Sequence, residues 1–452
     1  MKRSRKLWQN SVWDPIKNNI KAMKKVLIIL LVILIAAAGT MTTEYMKTGR
    51  LLSEAYADTS GDDAQETLYV LTEEGASGIR RIPYESFHFN NWDQMAEIEW
   101  YFTPEEVKIL TFMSLEQKIG QMFIVRPGSV SGSTSMTDSM RAALMEKMPG
   151  GIIMFADNII DQDQIRKFNK ELMKVSAEYC LGQPMFIAVD EEGGLVARVA
   201  NNPNFKVKKY DSMLAVGDTG DRAQAEAVGD NIGRYLKNLN FNLDFAPVAD
   251  CFTNPNNTVI GDRSFGADPE LVSDMVEACI DGFHYQGVMT AIKHYPGHGD
   301  TDSDTHTGMV LTDKSWEELK GRELIPFIDN LDDTDMVMTA HIISKGVTGD
   351  DTPATLSHVM VQEKLREELG YEGVVITDSM EMGAISTAYA PDEAAIKAVE
   401  AGCDIILCPS DFGKAYKGLL EAVRSGRITE ERIDESILRI LRLKLKYRYE
   451  YE

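Results

Sequence analysis

From Ile119 onward, eight short apolar runs alternate with helical patterns: IGQMFIV, GGIIMFA, MFIAVD, FNLDFAP, GVMTAIKH, DMVMTAH, GVVITD and CDIILC. They end near residues 125, 155, 190, 245, 293, 340, 378 and 408, leaving 30 to 55 residues between neighbours. That is room for a loop and a helix, and it fits right-handed crossovers between parallel strands. Eight βα units predict an α/β fold of the TIM (β/α)8 type, a single catalytic domain. A last helix is expected after Thr429. Thr429 can cap it, Glu430 and Glu431 favour its first turn, and Ile433, Ile437, Ile440 and Leu441 form one apolar stripe. With the chain ending just beyond that helix, the site is expected to be built almost wholly from barrel loops.

Ahead of the barrel the composition changes twice. Residues 1–50 hold 10 basic and 2 acidic side chains, and the basic stretch runs into VLIILLVILIAAAG at 26–39. Basic then apolar predicts an export signal or a transmembrane anchor, with everything after residue 45 outside the cytoplasm. Of the chain's 47 Lys and Arg and 70 Asp and Glu, the remainder keeps 37 against 68. So acidic a body repels nucleic acid and anionic lipid, which confines any membrane contact to the N-terminal segment. The expected organisation is a signal or anchor over 1–45, an acidic linker and pre-barrel segment over 46–110, and the barrel over 111–452. Five cysteines, an odd number without metal-type spacing, predict buried thiols.

In such a barrel the chemistry sits where strands end. Asp190, His294, His341 and Asp378 each close an apolar run, and four ionisable groups at one rim are more than turn chemistry needs. The densest segment is KHYPGHGDTDSDTH, 293–306, with three of the seven histidines. Pro296 and Gly297 separate His294 from His298, so this is not a helical two-histidine zinc motif, although a metal site built from loops stays open. Asp304 and His306, at i and i+2 in an extended loop, can meet as an acid/base dyad. No Gly-x-Ser-x-Gly elbow exists, which leaves Asp378 the better nucleophile. VDEEGGLVAR (189–198) and TVIGDRSFG (258–266) suit a polar ligand. Gly193 and Gly194 allow close backbone approach there, and Arg198 and Arg263 offer forked donors.

With SLEQKIGQMF (114–123), VDEEGGLVAR, IGDRSFG, IKHYPGHGDTDSDTH and VVITDSMEMGAI (374–385) in order, the chain resembles the glycoside hydrolase family 3 β-N-acetylhexosaminidases of the NagZ type. The resemblance implies a retaining exo-hydrolase that removes terminal β-linked GlcNAc from peptidoglycan- or chitin-type saccharides, muropeptides included. Asp378 would form a covalent glycosyl-enzyme, with His306 as acid then base and Asp304 as its support. Asp190, Arg198, Arg263, Lys293 and His294 would bind the sugar. No metal or organic cofactor is implied. The chain departs from the family pattern at Glu191, usually Gln, and Thr305, usually Ser. Glu191 is expected to add negative charge near the substrate. The competing readings are a phosphorylase or transglycosylase, a silent sugar-binding wall protein, and a metal-dependent amidohydrolase on the same barrel.

Overall fold

The computed structural model of the chain describes residues 67–71, 79–83, 104–301 and 310–448. The apolar 26–39 segment and the Asp304/His306 dyad therefore lie outside the described residues. The chain divides into two units, 1–68 with 82–88 and 69–81 with 89–452, and every barrel strand belongs to the second. Among the described residues no helix is long and apolar enough to cross a membrane.

All eight apolar runs contribute strands: β1 (Phe123–Val125), β2 (Gly151–Met154), β3 (Phe186–Val189), β4 (Leu243–Asp244), β5 (Met289–Tyr295), β6 (Met336–Thr339), β7 (Val374–Thr377) and β8 (Ile406–Leu407). Every residue in them is buried, as parallel strands covered on both faces require. They pair in parallel in the order β7-β6-β5-β4-β3-β2-β1-β8. A parallel bridge between Ile376 and Ile405 brings the two ends together, and the Thr377 N–H donates to Ile405 O at 3.0 Å. The result is a nearly closed eight-stranded barrel. FNLDFAP yields two strand residues, and its backbone pairing runs on past them, with the Phe245 N–H donating to Val189 O at 2.9 Å and the Ala291 N–H to Ala246 O at 3.1 Å.

The connecting helices are α1 (Asp138–Lys147), α2 (Gln162–Tyr179), α3 (Arg222–Asn238), α4 (Pro269–Tyr285), α5 (Ile325–Asn330), α6 (Val359–Glu368, wound as a π-helix), α7 (Pro391–Ala401) and α8 (Phe412–Arg424). The last helix, α9 (Glu430–Arg448), follows them. Its start matches the sequence: the Arg432 N–H donates to Thr429 Oγ1 at 3.2 Å, and Ile433, Ile437, Ile440 and Leu441 are buried. Two helices, Pro104–Phe112 and Leu115–Gln121, precede β1. Ser114 and Gln117 close the second with reciprocal side-chain caps, and Lys118 Nζ reaches the buried Asp434 of α9 at 2.6 Å. All five cysteines are buried and none forms a disulfide.

Candidate active site

The ends of the strands surround a cavity of about 390 Å³, whose described lining includes Asp190, Arg198, Arg263, Lys293, His294 and Asp378. Six of the eight residues singled out as site groups thus line one cavity. The volume suits a monosaccharide-sized ligand held by a few placed polar groups. Ile153, Phe155, Val196, Met338 and Leu407 add apolar surface to the lining.

Lys293 and His294 are neighbours in one strand, and in a regular strand only one of them would face the cavity. The β5–β6 register shifts here. Met338 pairs with Lys293 and Thr339 with Tyr295, so His294 is the extra residue. Such a bulge re-aims a side chain, and both groups line the cavity. Lys293 Nζ then lies 2.8 Å from Asp190 Oδ1 and 2.6 Å from Glu192 Oε1. Glu192 also receives a two-pronged clasp, from Arg263 Nε to Oε2 and Nη2 to Oε1, both at 2.7 Å. Burial opposes its ionisation, but Arg263 and then Lys293 outweigh that and hold its carboxyl far below the usual range. Arg198 Nη2 stands 3.8 Å from Asp190 Oδ2, while its buried Nε has no hydrogen-bond partner among the described residues.

His294 is oriented from behind. Its Nδ1–H donates to Asp250 Oδ2 at 2.7 Å, and the N–H of His298 donates to Asp250 Oδ1 at 2.6 Å. Asp250 is fully buried. Burial works against its charge, but the His294 imidazole prevails and keeps its pKa below the ordinary value. The other ring nitrogen, Nε2, sits 3.4 Å from Arg263 Nη2.

Asp378 begins the loop after β7, and its Oδ1 accepts from the Ser379 N–H at 2.6 Å. Burial disfavours the carboxylate here too. The nearby His294 and His341 imidazoles, the Ser379 N–H and Lys293 together outweigh it, and the pKa lies below the usual carboxylate value. Asp378 thus lines the cavity with its ionised form favoured. On the same loop Glu381 pairs with Arg126 at 3.0 Å, whose guanidinium stacks 4.4 Å above the Phe155 ring.

Three groups of this site were not singled out from sequence as site residues: Glu192, Asp250 and His298. Glu192 was detectable, since alternation along VDEEGG puts it on the same side as Asp190 and turns Glu191 away. The expectation that Glu191 charges the substrate's surroundings is accordingly corrected. Glu191 is fully buried and does not line the cavity. It accepts from the N–H groups of Val199 and Ala200 at 2.7 and 2.8 Å and from the Tyr235 hydroxyl at 2.7 Å. Burial raises its pKa against those donors. Its work is to tie down the segment bearing Arg198. Asp250 lies beyond the end of its apolar run, and no local pattern marks it.

A family model described as the glycosyl hydrolase family 3 N terminal domain matches residues 114–443. The chain is 35% identical over 380 residues to the Beta-hexosaminidase A of Pseudoalteromonas piscicida, covering 76% of this chain and 62% of that one. It is 34% identical over 271 residues to the Beta-hexosaminidase of Tolumonas auensis, covering 59% and 77%. Its fold is similar to the solved glycoside hydrolase family 3 beta-N-acetylglucosaminidase from Paenibacillus sp. str. FPU-7, with a TM-score of 0.71, 39% identity and coverage of 75% and 64%. The chain spans a little under two thirds of the length of the first and third of these proteins.

Proposed function

The chain belongs to glycosyl hydrolase family 3, and on that premise we propose that it is a retaining exo-β-N-acetylhexosaminidase that removes terminal β-linked GlcNAc. The observation that carries this is Asp378: a carboxylate held in its ionised form at the wall of a one-sugar cavity, among groups already paired for hydrogen bonding. Its relatives' activities support the choice of sugar.

In the proposed reaction an Asp378 oxygen bonds to the anomeric carbon while the bond from that carbon to the aglycone oxygen breaks. The leaving oxygen takes its proton from His306. Water then attacks the glycosyl-enzyme, His306 accepts the water's proton, and the Asp378 carboxylate is released with the anomeric configuration retained. The retaining mechanism usually employs two carboxylates. Imidazole fills the second role because it titrates near neutral pH and can both give and take a proton. Asp304 holds the imidazole tautomer and supports its cation. Lys293, Asp190, Arg198, Arg263 and His294 offer donors and acceptors to the sugar hydroxyls and the N-acetyl group. With an exported or anchored body, the substrates are peptidoglycan- or chitin-type saccharides met outside the cytoplasm.

Release of nitrophenol from the β-linked 4-nitrophenyl N-acetylglucosaminide, beside the matching β-glucoside, tests the assignment. Turnover of the first only, abolished in Asp378→Asn, is the expected result. Ordinary turnover by that variant removes Asp378 as nucleophile, and silence on both sugars from folded protein removes the reaction class.

A further inference from the structure

His341 closes the sixth apolar run and has no part in the reaction proposed above. It is fully buried and absent from the described cavity lining, so it is not placed to touch a sugar. Its surroundings connect it to the nucleophile instead. Backbone pairing between β6 and β7 continues one step past the strands, where the Asp378 N–H donates to Thr339 O at 2.9 Å. The chain after β6 then turns off into a second small sheet, in which Ile342–Ser344 pairs with Val310–Thr312. The β6 backbone thereby stops supporting the loop that carries Asp378 just where that loop begins.

The His341 side chain takes over. Its Nε2 lies 2.9 Å from the Ser379 carbonyl oxygen, which also accepts from the Met382 N–H at 3.1 Å. A carbonyl only accepts, so Nε2 carries the proton of that contact. The ring is held from its other side, with Nδ1 3.0 Å from Thr355 Oγ1, and Thr355 is itself buried and 2.8 Å from Ala340 O. Ser379 is thus fixed at both ends: its carbonyl by His341 and its N–H by Asp378 Oδ1 at 2.6 Å. One residue on, the Met380 N–H donates to Leu407 O of β8 at 2.9 Å.

We infer that His341 is a positioning residue for the nucleophile, its Nε2–H extending the β6–β7 ladder by one side-chain rung so that the Ser379 turn aims the Asp378 carboxylate. The inference rests on the reaction proposed above. A misplacement of about 1 Å at a reacting group costs on the order of 100-fold in rate, and that is the effect this rung prevents. Since His341 does not contact the sugar, its loss falls on kcat rather than on ground-state binding.

The test compares wild type, His341→Leu and His341→Gln with the nitrophenyl N-acetylglucosaminide. His341→Leu is expected to lower kcat about 100-fold with KM nearly unchanged, and His341→Gln, whose amide N–H can reach the same carbonyl, to recover much of the loss. Unchanged kcat in a folded His341→Leu overturns the inference, as does a rise in KM alone. If the leucine variant does not fold, imidazole ¹⁵N spectra of the wild type decide. A proton on Nε2 at neutral pH supports the rung, and a ring protonated on Nδ1 alone removes it. A wild type that cleaves no glycoside defeats the proposed reaction instead, and the imidazole spectra still judge the rung separately.

Discussion

Glu192 shows how much of this site is settled by single side chains. Its carboxylate is almost wholly removed from water between Arg263 and Lys293, and three short contacts repay that removal. Breaking a buried ion pair from one side leaves the other charges uncompensated, at a cost of about 3 kcal/mol or more. Glu192→Gln is therefore expected to lose on the order of 3 kcal/mol of stability at pH 7, measured by thermal or denaturant unfolding. The pH dependence follows from the sign of the shift. A carboxylate whose folded pKa is depressed contributes stability above its unfolded value, about 4.3 for Glu. That contribution disappears only as pH falls through the lower folded value. The gap between wild type and Glu192→Gln should stay constant from pH 7 to about 5 and close under stronger acid. A gap that closes near pH 6 would assign the effect to another group. Glu191, one residue earlier, is the same residue type with a different role, and the direction of each side chain separates them.

At the scale of elements, the barrel depends on glycines placed where helices meet. Gly229 in α3 and Gly282 in α4 face each other, and a Cβ on either would run into the backbone of the opposite helix, at Cys279 and Glu226 respectively. Neither has a positive φ, so the need is for space, not for conformation. Gly282→Ala, which raises helix propensity in isolation, is expected here to destabilise by about 1–3 kcal/mol because the helices must move apart. A denaturant midpoint that rises in this variant would show that α3 and α4 separate at little cost. The periodicity of each helix is visible in the chain, but which face meets which neighbour is not. The bulge in β5 belongs to the same class. KHY reads as ordinary strand, and only its pairing with β6 shows that Lys293 and His294 both reach the cavity.

At the scale of the whole molecule, residues 1–45 carry the basic-then-apolar pattern. We propose that they export or anchor the barrel, since a basic stretch followed by 14 apolar residues orients with its positive end in the cytoplasm. In cell fractionation the full chain should sediment with membranes or appear outside the cell, while a chain lacking 1–45 remains in the cytosol. Recovery of the full chain in the cytosol would defeat the proposal. The number and order of the barrel strands were legible in the linear chain, because a strand buried on both faces must be continuously apolar and eight such runs at crossover spacing leave few other arrangements. The ionisable residues at the rim were legible for a related reason: a strand's last residue is the first that can be polar. What remained hidden depends on groups distant in sequence. Asp250 behind His294, the Glu192 clasp across 71 residues to Arg263, and the His341 rung under Asp378 leave no local periodicity. A buried charge or imidazole is stabilised by whatever partner the fold brings within about 3 Å, and only the closed barrel brings those partners together.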